Sequence, residues 1–219
     1  MKKYILTIDQ GTTSTRAILF DHKANTIGIY QMEFTQICPK SGYVEHNADE
    51  IYQTVLECIK NVIINASIEP EEIDSIAITN QRETTVAFGF DGHPLANAIC
   101  WQSRQSQKIC DDLIARGYED MIYQKTGLHI NPYFSASKIR YLIDNNQNIK
   151  DLYDAGKVLF GTMDTYILYR LTNGASFKTD ATNASRTMLY NIHTLSYDDE
   201  LLGCLLYTSP SPRDRSLSR

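Results

Sequence analysis

Ile5-Leu6-Thr7-Ile8-Asp9-Gln10-Gly11-Thr12-Thr13-Ser14-Thr15-Arg16-Ala17-Ile18-Leu19-Phe20 reads as two strands joined by a polar turn. Both flanks are rich in β-branched and apolar residues, and Gly11 followed by hydroxyl side chains marks a tight reversal. Such a turn gathers backbone N–H groups and hydroxyls around one point. That arrangement suits an anion with several acceptor oxygens, such as a nucleotide phosphate. Asp9, at the end of the first strand, can hold Mg²⁺ directly or through water, and Arg16 offers a fork of donors to phosphate. An ordinary hairpin with a polar tip satisfies the pattern equally well. The stretch is not the Walker phosphate loop, because no Gly-Lys-Ser/Thr follows.

Outward from this hairpin, Thr26 to Phe34 alternates as a third strand, and three short consecutive strands suggest an antiparallel meander. Ile37 to Glu45 holds Pro39 and Gly42 and reads as a loop. Asn47 is a good N-cap and Glu50 can complete a capping box, opening a helix to about Ala66 with Ile51, Val55, Cys58 or Ile59, and Val62 on one face. Ile73 to Ile78 is a compact strand reached through that helix, as in a crossover to a parallel neighbour. Thr84 to Phe88 and Ala96 to Trp101 read as two more strands around an Asp91-Gly92 turn. Helices are expected over Gln102–Arg116 closed by Gly117, Asp120–Lys125 ended by Gly127, Ala136–Asp144 and Met163–Leu171, with a strand at Lys157–Phe160. A meander followed by alternating helices and strands gives an α/β class with a mixed sheet and flanking helices. From Leu205 the periodicity fades into a Ser-, Pro- and Arg-rich tail, so residues 205–219 are expected to be disordered and artefactual, and 1–204 to form one domain.

Composition narrows the function classes. The chain has 219 residues, 42% hydrophobic and 21% charged, with a formal net charge of −5. There is no basic footprint for nucleic acid or an anionic membrane. No signal peptide is evident at the start, and no apolar run approaches the ~18 residues needed to span a bilayer. The 5 cysteines lack Cys-x-x-Cys spacing and read as reduced thiols of a cytoplasmic protein. The histidines show no metal spacing.

Three further clusters carry polar chemistry. Arg82 and Glu83 follow the Ile73–Ile78 strand, where ligands of α/β sheets gather. Together they offer donors and acceptors to neighbouring hydroxyls of a polyol, or form a solvated surface ion pair. Trp101 could lie against the carbons of a small polar substrate, or pack in the core. Tyr133, after Pro132, could aim its hydroxyl into a cleft or anchor a loop.

Longer strings narrow these choices. DQGTTSTRAI from Asp9, ITNQRETTV from Ile78, NAICWQSR from Asn97, KTGLHINPYFSASKIRYLID from Lys125, FGTMDTYILYRLT from Phe160 and TDATNASRTMLYNIHTL from Thr179 resemble the glycerol kinases of the FGGY carbohydrate-kinase family. The resemblance runs from about Tyr4 to Leu202. It implies an actin/Hsp70-like (ribonuclease H-like) ATPase fold and transfer of the ATP γ-phosphoryl group to a terminal glycerol hydroxyl. It further implies Mg²⁺ at Asp9, nucleotide phosphates at Thr12, Thr13, Ser14 and Arg16, and glycerol at Arg82, Glu83, Trp101 and Tyr133. A cytoplasmic homo-oligomer as the parent protein is implied as well.

The sequence departs from the family in part. Gly42-Tyr43 stands where a Trp is common, and Asp180-Ala181 where Asp-Tyr is common. The second-domain Gly-Asp-Gln segment that supplies the family's general base matches nothing here. An incomplete N-terminal domain, inactive alone, is therefore expected. A non-catalytic polyol- or phosphate-binding module and a kinase for another polyol or sugar are the alternatives.

Overall fold

The computed structural model describes residues 3–206. The chain falls into two compact units. Within the described residues, one comprises 3–36 and 47–81, the other 37–46 and 82–206.

The first unit is built on the opening hairpin. Strands β1 (Tyr4–Gln10), β2 (Ser14–Asp21) and β3 (Thr26–Glu33) form the expected antiparallel meander, with Asp9 opposite Arg16 in the β1–β2 register. The chain then visits a two-residue strand of the second unit, β4 (Glu45–His46), before helix α1 (Ala48–Ala66). A single 3-10 turn leads into β5 (Ile73–Asn80), which pairs parallel with β1 and completes a mixed sheet of order β3-β2-β1-β5. The parallel pairing follows from the helical crossover, as read from the sequence.

Alternation places Leu6, Ala17 and Leu19 on the face that α1 covers with Cys58 and Val62. Gly28 of β3 lies under this helix, where a Cβ would come 3.3 Å from Val62 Cγ2. Asn47 caps α1 by accepting from Asp49 N and Glu50 N. The expected capping box is not the arrangement found. Glu50 accepts from the Thr35 N–H and hydroxyl instead, both at 2.9 Å, and so ties the helix start to the end of the meander.

The second unit holds an antiparallel sheet of order β4-β7-β6-β8, from β6 (Thr85–Gly89), β7 (Ala98–Ile99) and β8 (Val158–Thr162). Around it lie α2 (Gln107–Ala115), α3 (Glu119–Thr126), α4 (Ser135–Asn145), α5 (Gln147–Asp154), α6 (Met163–Leu171) and α7 (Ala181–Ala184). A small hairpin, β9 (Tyr190–Asn191) with β10 (Ser196–Tyr197), precedes α8 (Asp199–Leu206). The mixed sheet expected from the sequence is that of the first unit, and the second unit adds the antiparallel sheet and the small hairpin.

Strand β6 is buried on both faces, which explains its unbroken apolar run. Ala87 joins Ile139 and Leu142 of α4 in one cluster, while Phe88 points the other way into Tyr166, Tyr169 and Phe177. The helix expected from Gln102 begins only at Gln107. Residues 102–106 are held by a neighbouring loop instead: Arg104 N donates to Gly42 O, and Ser103 Oγ accepts from Val44 N. Helix α5, capped by Asn146 accepting from Ile149 N, had no counterpart in the sequence reading.

Helix α8 runs to Leu206, past the expected start of the tail at 205, and Leu205 is buried. The rest of the expected tail lies outside the described residues. Asp198 starts α8 by accepting from Glu200 N and Leu201 N, and it pairs with Lys125 Nζ at 2.8 Å. Burial pushes this carboxyl up, but hydrogen bonds from Lys125, Asn191 and Leu201 N outweigh it and hold the group down at about 2. A depressed carboxyl stabilises the fold above its unfolded pKa of 3.8 and loses that contribution as pH falls through its folded value. Asp198→Ala is expected to lower stability at neutral pH by about 2 kcal/mol. In urea unfolding, this difference from wild type should shrink as the pH is taken below 4 towards 2. A pH-independent difference would contradict the assignment.

Among the described residues, no helix is long and apolar enough to cross a membrane. All 5 cysteines are free thiols.

Candidate functional site

In the first unit, the turn between β1 and β2 is closed by Gly11 N donating to Ser14 O at 2.9 Å. A Cβ on Gly11 would lie 3.2 Å from that same oxygen, so the reversal is tight. Two buried glutamines brace it from behind. Gln10 Nε2 donates to Gly11 O at 2.7 Å, and Gln81 Nε2 donates to Gln10 Oε1 at 3.1 Å. The backbone extends the brace, with Gln81 N on Gln10 O at 2.7 Å. Farther along, Thr12 O accepts from Gln36 Nε2 and Thr13 O from Phe34 N. The tip is therefore fixed through its carbonyls, while Thr13 is exposed and Thr12 and Ser14 are half-buried.

Asp9 and Arg16 face each other across the strands, Nη1 to Oδ2 at 3.9 Å, each side chain 41% exposed. An exposed pair at this distance is weak and readily exchanged for a ligand. Gln31 sets the direction of Arg16, accepting from its Nε at 3.1 Å, and donates to Ser14 Oγ at 3.0 Å. Carboxylate, hydroxyls and guanidinium thus meet at one strand end, an oxygen-rich set suited to a hard cation and its anion. No cluster of three or more His, Cys, Asp or Glu side chains that could hold a metal exists among the described residues. Asp9 could therefore contribute to an Mg²⁺ site whose other ligands are water and phosphate.

In the second unit, Glu83 is 2% exposed and sits at φ +66°. That left-handed conformation costs an ordinary L-residue about 1–2 kcal/mol. It is held there by its own carbonyl, which accepts from Thr85 Oγ1 at 3.1 Å and Ser135 Oγ at 3.2 Å. Strained backbone of this kind clusters at functional positions. The Glu83 carboxylate accepts from Arg186 Nε through Oε1 at 2.6 Å. This pairing replaces the Arg82–Glu83 ion pair considered from the sequence; Arg82 is exposed.

The aromatic residues join the same cluster. Trp101 and Tyr133 have ring centroids 5.3 Å apart at 57°, and Trp101 N donates to Thr84 Oγ1 beside Glu83. The Arg186 guanidinium lies over both Tyr133, at 5.6 Å, and Phe134, at 4.9 Å. Glu83, Trp101 and Tyr133 are therefore linked as a unit, with Arg82 adjoining in the chain. A cavity of about 80 Å³ lies alongside, lined in part by Thr85, Ser135, Thr162, Thr179, Thr187 and Leu202.

Three residues escaped the sequence reading of the site. Arg186 carries no local signal of a role, because its partner Glu83 is 103 residues away in sequence. Lys138 and Asp164 are both buried and carry a legible signal, a charge inside an apolar helical stripe. Asp164 accepts from the hydroxyls of Thr162 at 2.5 Å and Thr179 at 2.7 Å. Burial raises its carboxyl pKa in spite of these bonds. They tie the start of α6 to the segment that leads to Arg186.

Residues 4–209 match the family model described as the FGGY family of carbohydrate kinases, N-terminal domain. A glycerol kinase of Desulforamulus reducens is 51% identical over 205 residues, covering 93% of this chain and 41% of its own length. One from Enterococcus casseliflavus is 53% identical, with 93% and 40% covered. The crystal structure of Plasmodium falciparum glycerol kinase with ADP superposes with a TM-score of 0.85 at 35% identity, covering 92% of this chain and 40% of that one. The chain thus spans about 41% of the length of the curated relatives it matches. The expected α/β, actin/Hsp70-like architecture is the one these neighbours share.

Proposed function

The chain belongs to the FGGY family of carbohydrate kinases, and from that premise we propose that it carries the glycerol-binding part of a glycerol kinase. Glu83 is the observation that carries this reading. It is a buried carboxylate on strained backbone, with Arg186 on one oxygen and an aromatic pair beside it. Arg186 fixes Oε1 and leaves Oε2 to accept a glycerol hydroxyl. Arg82 donates to a neighbouring hydroxyl, and Trp101 with Tyr133 lines the carbon side. A polyol needs this mixture, and a site built to hydrogen-bond hydroxyls rejects ligands lacking them.

The β1–β2 turn takes the nucleotide phosphates of ATP, with Thr12, Thr13 and Ser14 as hydroxyl donors and Arg16 as the charged fork. Mg²⁺ at Asp9 would neutralise charge on the phosphoryl group being transferred. The contribution of these residues is to bind and orient. Arg16→Ala is expected to weaken ADP binding by about tenfold, the loss of one charge-assisted contact. Titration calorimetry of the variant would show this, and unchanged affinity would remove Arg16 from the site.

By resemblance to the family, the general base belongs to a Gly-Asp-Gln segment that nothing in this sequence matches, and not to any residue assigned here. The chain as given is therefore expected to bind glycerol without appreciable turnover. Calorimetry with glycerol and an assay of glycerol-dependent ADP formation test the two halves of this statement. Absence of glycerol binding would overturn the assignment of the site, and rapid ADP formation would overturn the division of labour. The parent protein is proposed to be a cytoplasmic homo-oligomer, which sedimentation of the intact protein would check.

A further inference from the structure

Lys138 is fully buried on α4, yet its ammonium reaches back past the start of its own helix. Nζ donates to the carbonyls of Pro132 at 2.6 Å and Phe134 at 3.2 Å, and to that of Tyr133 between them. Three donors meet three consecutive acceptors, the stoichiometry of an ammonium.

This placement is unfavourable for stability in two respects. Burial disfavours the charge, pushing the group down to about 7 although Cys100, Glu83 and Cys110 act in the opposite sense. The positive end of the α4 dipole disfavours it again. An apolar side chain would fill the stripe at no such cost. What the charge does achieve is to lock the turn that carries Tyr133, whose N–H is also held by Asn131 Oδ1 at 2.9 Å. The locked turn presents Tyr133 to Trp101 and presents both Tyr133 and Phe134 to the Arg186 guanidinium.

We propose that Lys138 is a positioning residue for the polyol site, fixing the Tyr133–Trp101 pair and the Arg186 that orients Glu83 by holding the carbonyls of residues 132–134. The proposal rests on the reading of that site as a glycerol site, but its geometric part can be tested without ligand.

Trp101 is the single tryptophan of the chain, so its near-ultraviolet circular dichroism reports this corner of the molecule. Lys138→Met and Lys138→Gln are compared with wild type and with Tyr133→Ala, measuring the Trp101 signal, the thermal melt and glycerol affinity by calorimetry. Lys138→Met is expected to melt cooperatively and to change the Trp101 signal in the sense that Tyr133→Ala does. It is expected to lose glycerol affinity by about tenfold or more. Lys138→Gln, which keeps two donors, should fall between Lys138→Met and wild type.

A folded Lys138→Met with the wild-type Trp101 signal overturns the proposal, whatever the glycerol affinity. Loss of cooperative melting in both variants also overturns it, since Lys138 would then simply hold the fold together. If wild type binds no glycerol, the functional reading fails, while the Trp101 comparison still decides the role of Lys138.

Discussion

Glu83→Ala is expected to abolish measurable glycerol binding and to lower stability by about 2–3 kcal/mol. The substitution removes the acceptor for the ligand hydroxyl and leaves the Arg186 Nε without its 2.6 Å partner. Arg186 remains 30% exposed, so water can reach part of its charge, and the stability loss falls below that of a fully buried broken pair. Two further substitutions separate the causes. Glu83→Gln keeps an acceptor for Arg186, so it should retain most of the stability while weakening glycerol binding, because a neutral amide is the poorer acceptor. Glu83→Gly should be more stable than Glu83→Ala by about 1 kcal/mol, since glycine adopts φ +66° without the penalty alanine shares with glutamate. Urea unfolding and calorimetry measure both effects. Glu83→Ala with wild-type glycerol affinity would remove the central residue of the proposed site.

Phe88→Ala should produce the largest loss of stability, about 3–5 kcal/mol. Phe88 is 0% exposed, with Tyr166 and Tyr169 at ring-centroid distances of 5.2 and 5.3 Å and Phe177 at 6.1 Å. The rings around it cannot collapse easily onto a methyl group, because Tyr169 Oη is fixed on Phe90 O at 2.7 Å. The void left is lined by aromatic carbon and offers water few partners. Such a loss is a large fraction of the 5–15 kcal/mol that typically separates folded from unfolded chains. Phe88 lies on β6, three residues beyond Thr85 of the Glu83-Thr84-Thr85 run, and its ring packs into the aromatic cluster and not against the proposed ligand groups. The folded fraction of the variant should therefore bind glycerol normally, with the urea midpoint lowered. A stability change under about 1 kcal/mol would show that this aromatic cluster is not the packing core of the sheet.

Local patterns gave the regular elements where local forces decide them. The β1–β2–β3 meander follows from alternation and tight turns, the start of α1 from Asn47, and the parallel β1–β5 pair from a helical crossover. Sequence reading failed where a distant segment competes for the same groups. Glu50 had the spacing for a capping box, but Thr35 supplied a better-placed pair of donors. Residues 102–106 had helical periodicity, but the loop at 42–44 holds the Arg104 N–H and the Ser103 hydroxyl, so α2 starts late. The separate antiparallel sheet of the second unit was also out of reach, because strand pairing is a non-local choice and the short β4 and β7 have little pattern of their own.

By itself, the sequence determined the polar turn at residues 10–14, the family resemblance and the candidates Asp9, Arg16, Glu83, Trp101 and Tyr133, because residue type and spacing carry that chemistry directly. Tertiary structure alone decided which groups act together. It paired Glu83 with Arg186 rather than with Arg82, set Tyr133 against Trp101, and turned the buried Lys138 onto three carbonyls. The physical reason is that a buried charge must find its partner wherever the fold brings one, and no local pattern names a partner 103 residues away.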